Sequence, residues 1–366
     1  MSSNSKLNPL STEVAKDEAY RYALLLSTIR VFPAFLNAAV DLNLFEIIAK
    51  SSSYGSNMSA SEIASHMPNQ HPELANRLER MLPLLASYSL LTCSIRTNED
   101  GKNERVYSLS HVGEYFAYDK VGGSTAPLST LLHRGFDAMW MNVKDAFEDA
   151  DSNIYAEKVF GMPLYKHIET DKELSDIFMK AMAHVTPLEM KIILEIYKGF
   201  DGVSTLVDVG GGIGQALKGI ISDYPSIKGI NFDLPHVVQN APPHQGIEHI
   251  GGDMFECVPE GDAIMLKEVC HNWSDEKCVK LLKNCYKALP QHGKVIILDC
   301  IMPETPNSST ASKHACIADS LMFLTHGGKE RTEKELENLC RSSGFSRFHV
   351  ACNDFSAMSG VIEFYK

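Results

Sequence analysis

His271 lies in the run Lys267-Glu268-Val269-Cys270-His271-Asn272-Trp273-Ser274, at the end of an apolar segment, Ala263–Val269, that reads as a β-strand. An imidazole with an ordinary pKa near ~6.5 can take up a proton near neutrality. One histidine among 14 is by default a surface or packing residue. What sets His271 apart is its place just past the carboxyl end of a strand. Asp299 lies near the end of a later apolar run, Lys294–Cys300. In a parallel sheet the two strand ends would be neighbours, and the carboxylate would orient the imidazole and stabilise its charged form.

A second group of residues has the chemistry of a nucleoside site. Val207-Asp208-Val209-Gly210-Gly211-Gly212-Ile213-Gly214 ends one strand and opens a helix. Glycines there let the backbone turn tightly and approach a ligand closely. The dinucleotide fingerprint wants glycine or alanine at position 215, which is glutamine here. Asp233 ends the next strand, where a carboxylate can accept hydrogen bonds from both ribose hydroxyls. Asp253 ends the third and can reach an adenine amine, with Met254 against the ring. A glycine loop, a ribose acid and a third-strand acid, without a complete phosphate fingerprint, suit an adenosyl ligand that lacks phosphates. S-adenosylmethionine is such a ligand, and its positive sulfonium suits acidic surroundings. A nicotinamide oxidoreductase is the alternative enzyme reading.

The elements that must position these groups follow from periodicity. Thr205–Gly210, Lys228–Leu234, Ile247–Gly251, Ala263–Val269 and Lys294–Cys300 read as strands, and Asp275–Leu289, with Ser274 as N-cap, as a helix between the last two. Alternating strands and helices predict an α/β fold, a Rossmann-like, doubly wound parallel sheet over 201–366. Ligands would sit where the first and fourth strands straddle the switch point. Arg347–Cys352 and Gly360–Tyr365 read as closing strands, an antiparallel edge. Before residue 200 the patterns are helical. Residues 13–50 have apolar positions at helical spacing with a break at Pro33, and their apolar faces call for a partner such as a second subunit. Residues 59–117 read as helix, helix and hairpin, a winged-helix pattern. Ser59 and Glu62 have the spacing of a capping box, and Pro72 opens a helix with Leu74, Leu78, Met81, Leu82 and Leu85 on one face. The expected division is 1–115, a helical connection over 116–200, and 201–366.

Composition narrows the function classes. The 366 residues are 44% hydrophobic and 22% charged, an ordinary globular balance with a length prior of about two domains. With 34 basic against 46 acidic residues, net −12, the chain is no general polyanion binder. Residues 1–115 hold 10 basic and 12 acidic residues, which argues for a packing module over a winged-helix DNA regulator. Nine cysteines without a C-x-x-C pair suggest neither a disulfide framework nor a structural zinc site. The polar stretch Met1–Asp17 has no apolar core of a signal peptide, and no stretch of 18 apolar residues occurs. A cytoplasmic protein with no membrane and no nucleic-acid partner is expected.

At these residues the sequence resembles the plant S-adenosylmethionine-dependent small-molecule O-methyltransferases of the caffeic acid type. LVDVGGGIG, GINFDLPHV, GGDMF, LKEVCHNWSDEKC and GGKERTEKE carry the likeness over residues 206–338, and the amino-terminal half is similar too. Within the family the chain looks most like the legume chalcone (isoliquiritigenin) 2'-O-methyltransferases, through DLNLFEIIAK, LASYSLLT and CHNWSDEKC. Caffeic acid and isoflavone methyltransferases look like more distant relatives.

The resemblance implies a winged-helix domain that forms a homodimer and a Rossmann-like domain that uses S-adenosylmethionine, releases S-adenosylhomocysteine and needs no metal. His271 matches the general base, and Glu330 a carboxylate that brackets it. Asp299 falls where caffeic acid and chalcone enzymes carry glutamate; aspartate, one methylene shorter, resembles the isoflavone branch. Gly210, Gly212, Asp233, Leu234, Asp253, Met254 and Lys267 match cofactor-contacting positions. Phe178, Met182 and Met322 match residues that grip the phenolic ring, although core packing is the default role of such side chains. The implied reaction is a single displacement at the sulfonium methyl by a phenolic oxygen.

Overall fold

The computed structural model of the protein describes residues 12–52, 57–68, 70–118, 123–148, 154–353 and 359–366. The start of the polar amino-terminal stretch, up to residue 11, lies outside the described residues. The chain divides into two units, Met1–Asp119 and Lys120–Lys366.

The first unit opens with helices Thr12–Thr28, Val31–Asp41 and Leu44–Ser52. The break expected at Pro33 falls earlier, at Ile29 and Arg30, and Pro33 sits in the first turn of the second helix. Amide groups of a first turn have no intrahelical acceptor, so proline loses nothing there. β1 (Met58–Ser59) leads into helix Ala60–Ser65. There Ser59 Oγ accepts from the Glu62 amide at 3.3 Å and Glu62 accepts from the Ser59 amide at 2.6 Å, closing the capping box. Helix Leu74–Ser87 buries Leu78, Leu82 and Leu85. β2 (Leu91–Thr97) and β3 (Asn103–Leu109) form the antiparallel hairpin, and β1 joins β3. On the first helix Tyr20, Leu24, Leu25 and Leu26 are exposed. Among the described residues no single helix is long and apolar enough to cross a membrane; one bent pair, Lys16–Thr28 with Val31–Asp41, has the length and composition only when joined.

The second unit contains β4 (Thr205–Val209), β5 (Lys228–Asp233), β6 (Ile247–Gly251), β7 (Ala263–Lys267), β8 (Lys294–Asp299), β9 (Ile301–Met302), β10 (Arg331–Thr332), β11 (Arg347–Cys352) and β12 (Gly360–Tyr365). Seven of them form one sheet in the order β11-β12-β8-β7-β4-β5-β6. The run from β8 to β6 is parallel, and β12 and β11 close it as an antiparallel edge. β4 lies beside β7, so the strand order reverses there and their carboxyl ends form the switch point. Leu206, Met265, Ile296 and Leu298 enter one core with Ile193, Leu217 and Ile220. Val207, Ile264, Leu266, Val295 and Ile297 enter the opposite core with Leu281, Leu282 and Leu339. Both faces of the sheet are dry, which is why its strands read as unbroken apolar runs rather than as alternation.

β7 stops two residues short of the expected Val269, and β8 ends at Asp299 rather than Cys300. At Glu268 the chain turns with φ +55°. A left-handed residue with a side chain costs about 1–3 kcal/mol and is tolerated where a site needs the turn. Here it swings the backbone into a single 3₁₀ turn, Cys270–Asn272. A 25-residue helix, Lys172–Ile196, precedes the sheet, capped by Asp171 Oδ1 accepting from the Leu174 amide at 3.0 Å.

Candidate active site

His271 projects from the turn after β7. Its Nδ1 lies 2.8 Å from Glu330 Oε1, 59 residues away in sequence. A carboxylate can only accept, so Nδ1 carries the hydrogen, and in the neutral ring Nε2 is the nitrogen with the lone pair. That is the tautomer a general base needs. Several contacts close the long sequence gap. β10 pairs in parallel with β9, Arg331 opposite Ile301, which hangs Glu330 beside the end of β8. Arg331 is 2% exposed and clamps the histidine turn. It donates to the carbonyls of Cys270 at 2.8 Å and Trp273 at 2.7 Å, and to Asp275 Oδ1 at 2.8 and 3.0 Å. The Lys329 amide donates to the His271 carbonyl at 2.9 Å, and Gly328 passes so close that a Cβ would collide with that carbonyl.

Charge around His271 is one-sided. Burial disfavours the imidazolium, but the Glu330 hydrogen bond and the negative charges of Asp299, Glu330 and Glu268 outweigh it and hold the imidazole up at about 9. Asp299 is buried, and its Oδ1 has no hydrogen-bond partner. Burial pushes its carboxyl up to about 7, against the opposing charge of His271. Glu330 thus acts on the imidazole through a hydrogen bond, and Asp299 through its field. Glu330→Gln is expected to slow turnover about 10–100-fold, matching the ~1.5–3 kcal/mol of a hydrogen bond to a charged group. Asp299→Asn is expected to slow it less. Steady-state rates on the alkaline plateau check this, and the reverse order would make Asp299 the principal partner.

A second cluster occupies the ends of β4 and β5. Gly210 turns with φ +76°. A Cβ on Gly211 would collide with the side chains of Asn231 and Asp208. Asp233 Oδ2 accepts from the Gly212 amide at 2.8 Å, and Oδ1 from the Leu234 amide at 2.7 Å. The carboxylate pins the loop and still keeps lone pairs for a ribose. Asn231 Nδ2 donates to the Gly212 carbonyl at 2.8 Å and meets His249 Nδ1 at 3.1 Å. Asp253 Oδ1 accepts from the Phe255 amide at 2.8 Å, and the Met254 carbonyl accepts from Asn284 at 3.1 Å. The Lys267 ammonium is held between Glu189 at 2.6 Å and Glu268 at 2.7 Å.

These residues fit a cationic adenosyl cofactor. Asp208 is 1% exposed with neither carboxylate oxygen hydrogen-bonded. Burial pushes its carboxyl up to about 7, with Lys267 pulling the other way. A positive ligand nearby would favour its charged form. Lys267 is paired with Glu189 and Glu268, and the buried Asp208 carboxyl interacts with Lys267 and with Asp233, so carboxyls outnumber the single lysine. S-adenosylmethionine would lie with its ribose at Asp233 and its backbone approach at Gly210–Gly212.

Phe178 and Met182, on helix Lys172–Ile196, pack with Leu131, Met139 and Leu324. Met322 is half-buried on helix Thr310–His326 and is not part of that cluster. Sequence reasoning does not single out Asp208, Asn231, Glu189 or Arg331. Asp208 carries a signal, as the acid two residues before the first glycine of the loop. The others act through backbone groups and distant partners, which leave no spacing to read. Among the described residues no cluster of three His, Cys, Asp or Glu side chains could hold a metal ion.

A family model described as an O-methyltransferase domain matches residues 140–346, and one described as an O-methyltransferase dimerisation domain matches residues 25–119. The chain is 46% identical over 369 residues to caffeic acid 3-O-methyltransferase 1 of Populus tremuloides, covering 100% of each. It is 45% identical over 369 residues to caffeic acid 3-O-methyltransferase of Medicago sativa, again covering 100% of each. Among solved structures it is similar to human N-acetylserotonin methyltransferase in complex with SAM, with a TM-score of 0.79 and 23% identity over 98% of this chain and 99% of that one, a likeness of fold. The nicotinamide oxidoreductase and winged-helix regulator readings give way to these full-length relatives. On this evidence the chain belongs to the caffeic acid type family of S-adenosylmethionine-dependent O-methyltransferases.

Proposed function

We propose that this enzyme methylates a phenolic hydroxyl of a plant phenylpropanoid or flavonoid, with His271 as the general base. The observation that carries the reading is the His271–Glu330 pair at 2.8 Å, set at the switch point beside the glycine loop. When bound, S-adenosylmethionine supplies an electrophilic methyl on a positive sulfur. His271 Nε2 takes the phenolic proton as the oxygen attacks. Glu330 holds the Nδ1 hydrogen and stabilises the imidazolium that forms, and Asp299 adds its negative field. A phenol has a pKa near ~10. An imidazole held at about 9 makes the proton transfer close to balanced. Phe178, Met182 and Met322 would hold the aromatic ring, and Gly210, Gly212, Asp233, Leu234, Asp253, Met254 and Lys267 would line the cofactor site. S-adenosylhomocysteine leaves as product.

A chalcone such as isoliquiritigenin, methylated at the 2'-hydroxyl, is the substrate we favour, on the motif likeness given above. Its internal hydrogen bond to the ketone would hold the proton and make a strong base useful. The full-length relatives named for caffeic acid favour a second reading, 3-O-methylation of a caffeoyl compound. A methylation screen over chalcones, isoflavones, flavonols and caffeoyl compounds, with regiochemistry by mass spectrometry and NMR, separates the two. Absence of phenol methylation across the whole panel would sink both. The exposed apolar first helix and the dimerisation-domain match support a homodimer, which sedimentation can test. Nine cysteines without a C-x-x-C pair are in keeping with a reducing cytoplasm.

The raised imidazole gives this chemistry a defined pH dependence. Only neutral His271 can accept the proton, so kcat/KM for the phenol should rise about tenfold per pH unit below the histidine pKa and level off above it. That limb should lie at or below about 9, the positive cofactor drawing it down. In Glu330→Gln it should move to lower pH, because a carboxylate that favours the imidazolium is gone. A flat profile between pH 6 and 9, recorded at about saturating cofactor, would speak against a titrating base.

A further inference from the structure

Asp208 and Asn231 stand opposite each other on β4 and β5, and both are buried. A Cβ on Gly211 would strike Asn231 Oδ1 and Asp208 Oδ2 alike, so the two oxygens converge on one small space beside the glycine loop. Among the described residues neither oxygen has a hydrogen-bond partner, nor has Asp208 Oδ1. The amide cannot supply the missing donor. Asn231 Nδ2 gives one hydrogen to the Gly212 carbonyl at 2.8 Å, and the other faces His249 Nδ1 at 3.1 Å. His249 Nε2 lies 3.1 Å from the Pro242 carbonyl, which can only accept, so in the neutral ring Nδ1 is the acceptor. Both amide hydrogens are therefore spent. Two buried acceptors side by side repel unless one of them carries a hydrogen, and here only the Asp208 carboxyl can.

The charges around Asp208 oppose one another. Burial favours the neutral acid, and the negative charge of Asp233 at the end of β5 adds to it. The Lys267 ammonium at the end of β7 works the other way, itself paired with Glu189 and Glu268. The carboxyl is held at about 7 as a result, where one added charge can tip it. S-adenosylmethionine brings one net positive charge that S-adenosylhomocysteine lacks, because loss of the methyl turns the sulfonium into a thioether. We propose that Asp208 is a neutral acid hydrogen-bonded to Asn231 Oδ1, that it gives this proton to solvent when the cationic cofactor binds, and that it takes one back once the methyl has gone. Asp208 is then a specificity-determining residue for the cofactor, since its ionised form favours S-adenosylmethionine over the neutral product. A group that sheds a proton on binding makes affinity rise with pH up to its pKa in the free protein. Affinity for S-adenosylmethionine should therefore rise from pH ~6 to pH ~7 and level off above, while that for the product changes little. The inference concerns the cofactor alone and is the same for any phenol.

Isothermal titration of the wild type with each ligand at about pH 6.5, in two buffers of different ionisation enthalpy, counts the protons. S-adenosylmethionine should release about half a proton or more per site, and S-adenosylhomocysteine about a quarter or less. The ratio of the two affinities should favour S-adenosylmethionine about five- to tenfold more at pH ~8 than at pH ~6. In Asp208→Asn the excess release should shrink to about a quarter of a proton or less, and the ratio should stay flat with pH. Equal release with the two ligands, a flat ratio in the wild type, or an excess that survives in Asp208→Asn and so belongs to another acid such as Asp299 would each overturn the proposal. If the variant fails to fold, the carboxyl-carbon NMR shift of Asp208 in the wild type gives the answer. It should move to the ionised position with S-adenosylmethionine and keep the acid position with S-adenosylhomocysteine; the same position with both would overturn the proposal.

Discussion

His271→Ala should lower kcat for methyl transfer by about 10²–10⁴-fold, the usual worth of a positioned general base. The carboxylates that act on it are otherwise placed, Glu330 engaged with Nδ1 and Asp299 buried. The residual rate would come from holding the phenol and the methyl donor together, which the variant leaves intact. Cofactor affinity should therefore survive, because the glycine loop and Asp233 are built on β4 and β5 and do not touch the histidine. Part of the lost activity should return above pH ~10, where the phenol ionises without help. Isothermal titration with S-adenosylmethionine and single-turnover methylation across pH provide the measurements. A variant that turns over within a few-fold of the wild type on the wild type's alkaline plateau, below the ionisation of the phenol, would remove His271 from the mechanism.

Arg331→Ala should lose about 2–4 kcal/mol of stability, seen as a fall in Tm of roughly 5–12 °C. Asp275 is more than half exposed, so the ion pair itself contributes little. The loss comes from the carbonyls of Cys270 and Trp273, which would be left without their donor, and from the space of the guanidinium. Turnover should fall with stability, since the clamped turn is the one that aims His271. Arg331→Lys should rescue only partly, because one ammonium cannot repeat the fork of bonds a guanidinium makes. Calorimetric melting combined with kinetics at a temperature where each variant is folded distinguishes the two effects. Unchanged melting and full turnover in Arg331→Ala would show that the clamp carries nothing.

Much of the second unit is legible in the sequence because its strands are buried on both faces. Their apolar runs, broken by glycine at the β4 turn and by Ser274 at a helix start, mark elements without any knowledge of their partners. Boundaries are less legible where one residue decides them. Glu268 ends β7 by a left-handed turn that its residue type does not announce. Pro33 marks a helix boundary, yet it lies just inside the helix where the sequence suggests a break. The site divides in the same way. The glycine loop, Asp233 and His271 stand at strand ends and can be found from periodicity. Glu330 is suggested only by family likeness, because its meeting with His271 depends on the parallel pairing of β9 and β10. Asn231 and Arg331 serve backbone groups, and the meeting of Asn231 Oδ1 with Asp208 appears only once β4 and β5 are paired.

The β9–β10 pairing has a consequence for how such an enzyme can diversify. Two short strands join residues 301–302 to 331–332, so the intervening chain leaves and returns at one fixed place. The acid and the base are secured at that junction, while helix Thr310–His326, with Met322, belongs to the excursion between its ends. Substitutions within the excursion can reshape what is recognised and leave the proton-transfer pair in place, provided that they spare Asp319, whose Oδ1 accepts from the Glu330 amide at 3.0 Å, and the contacts of Gly328 and Lys329 with the His271 carbonyl.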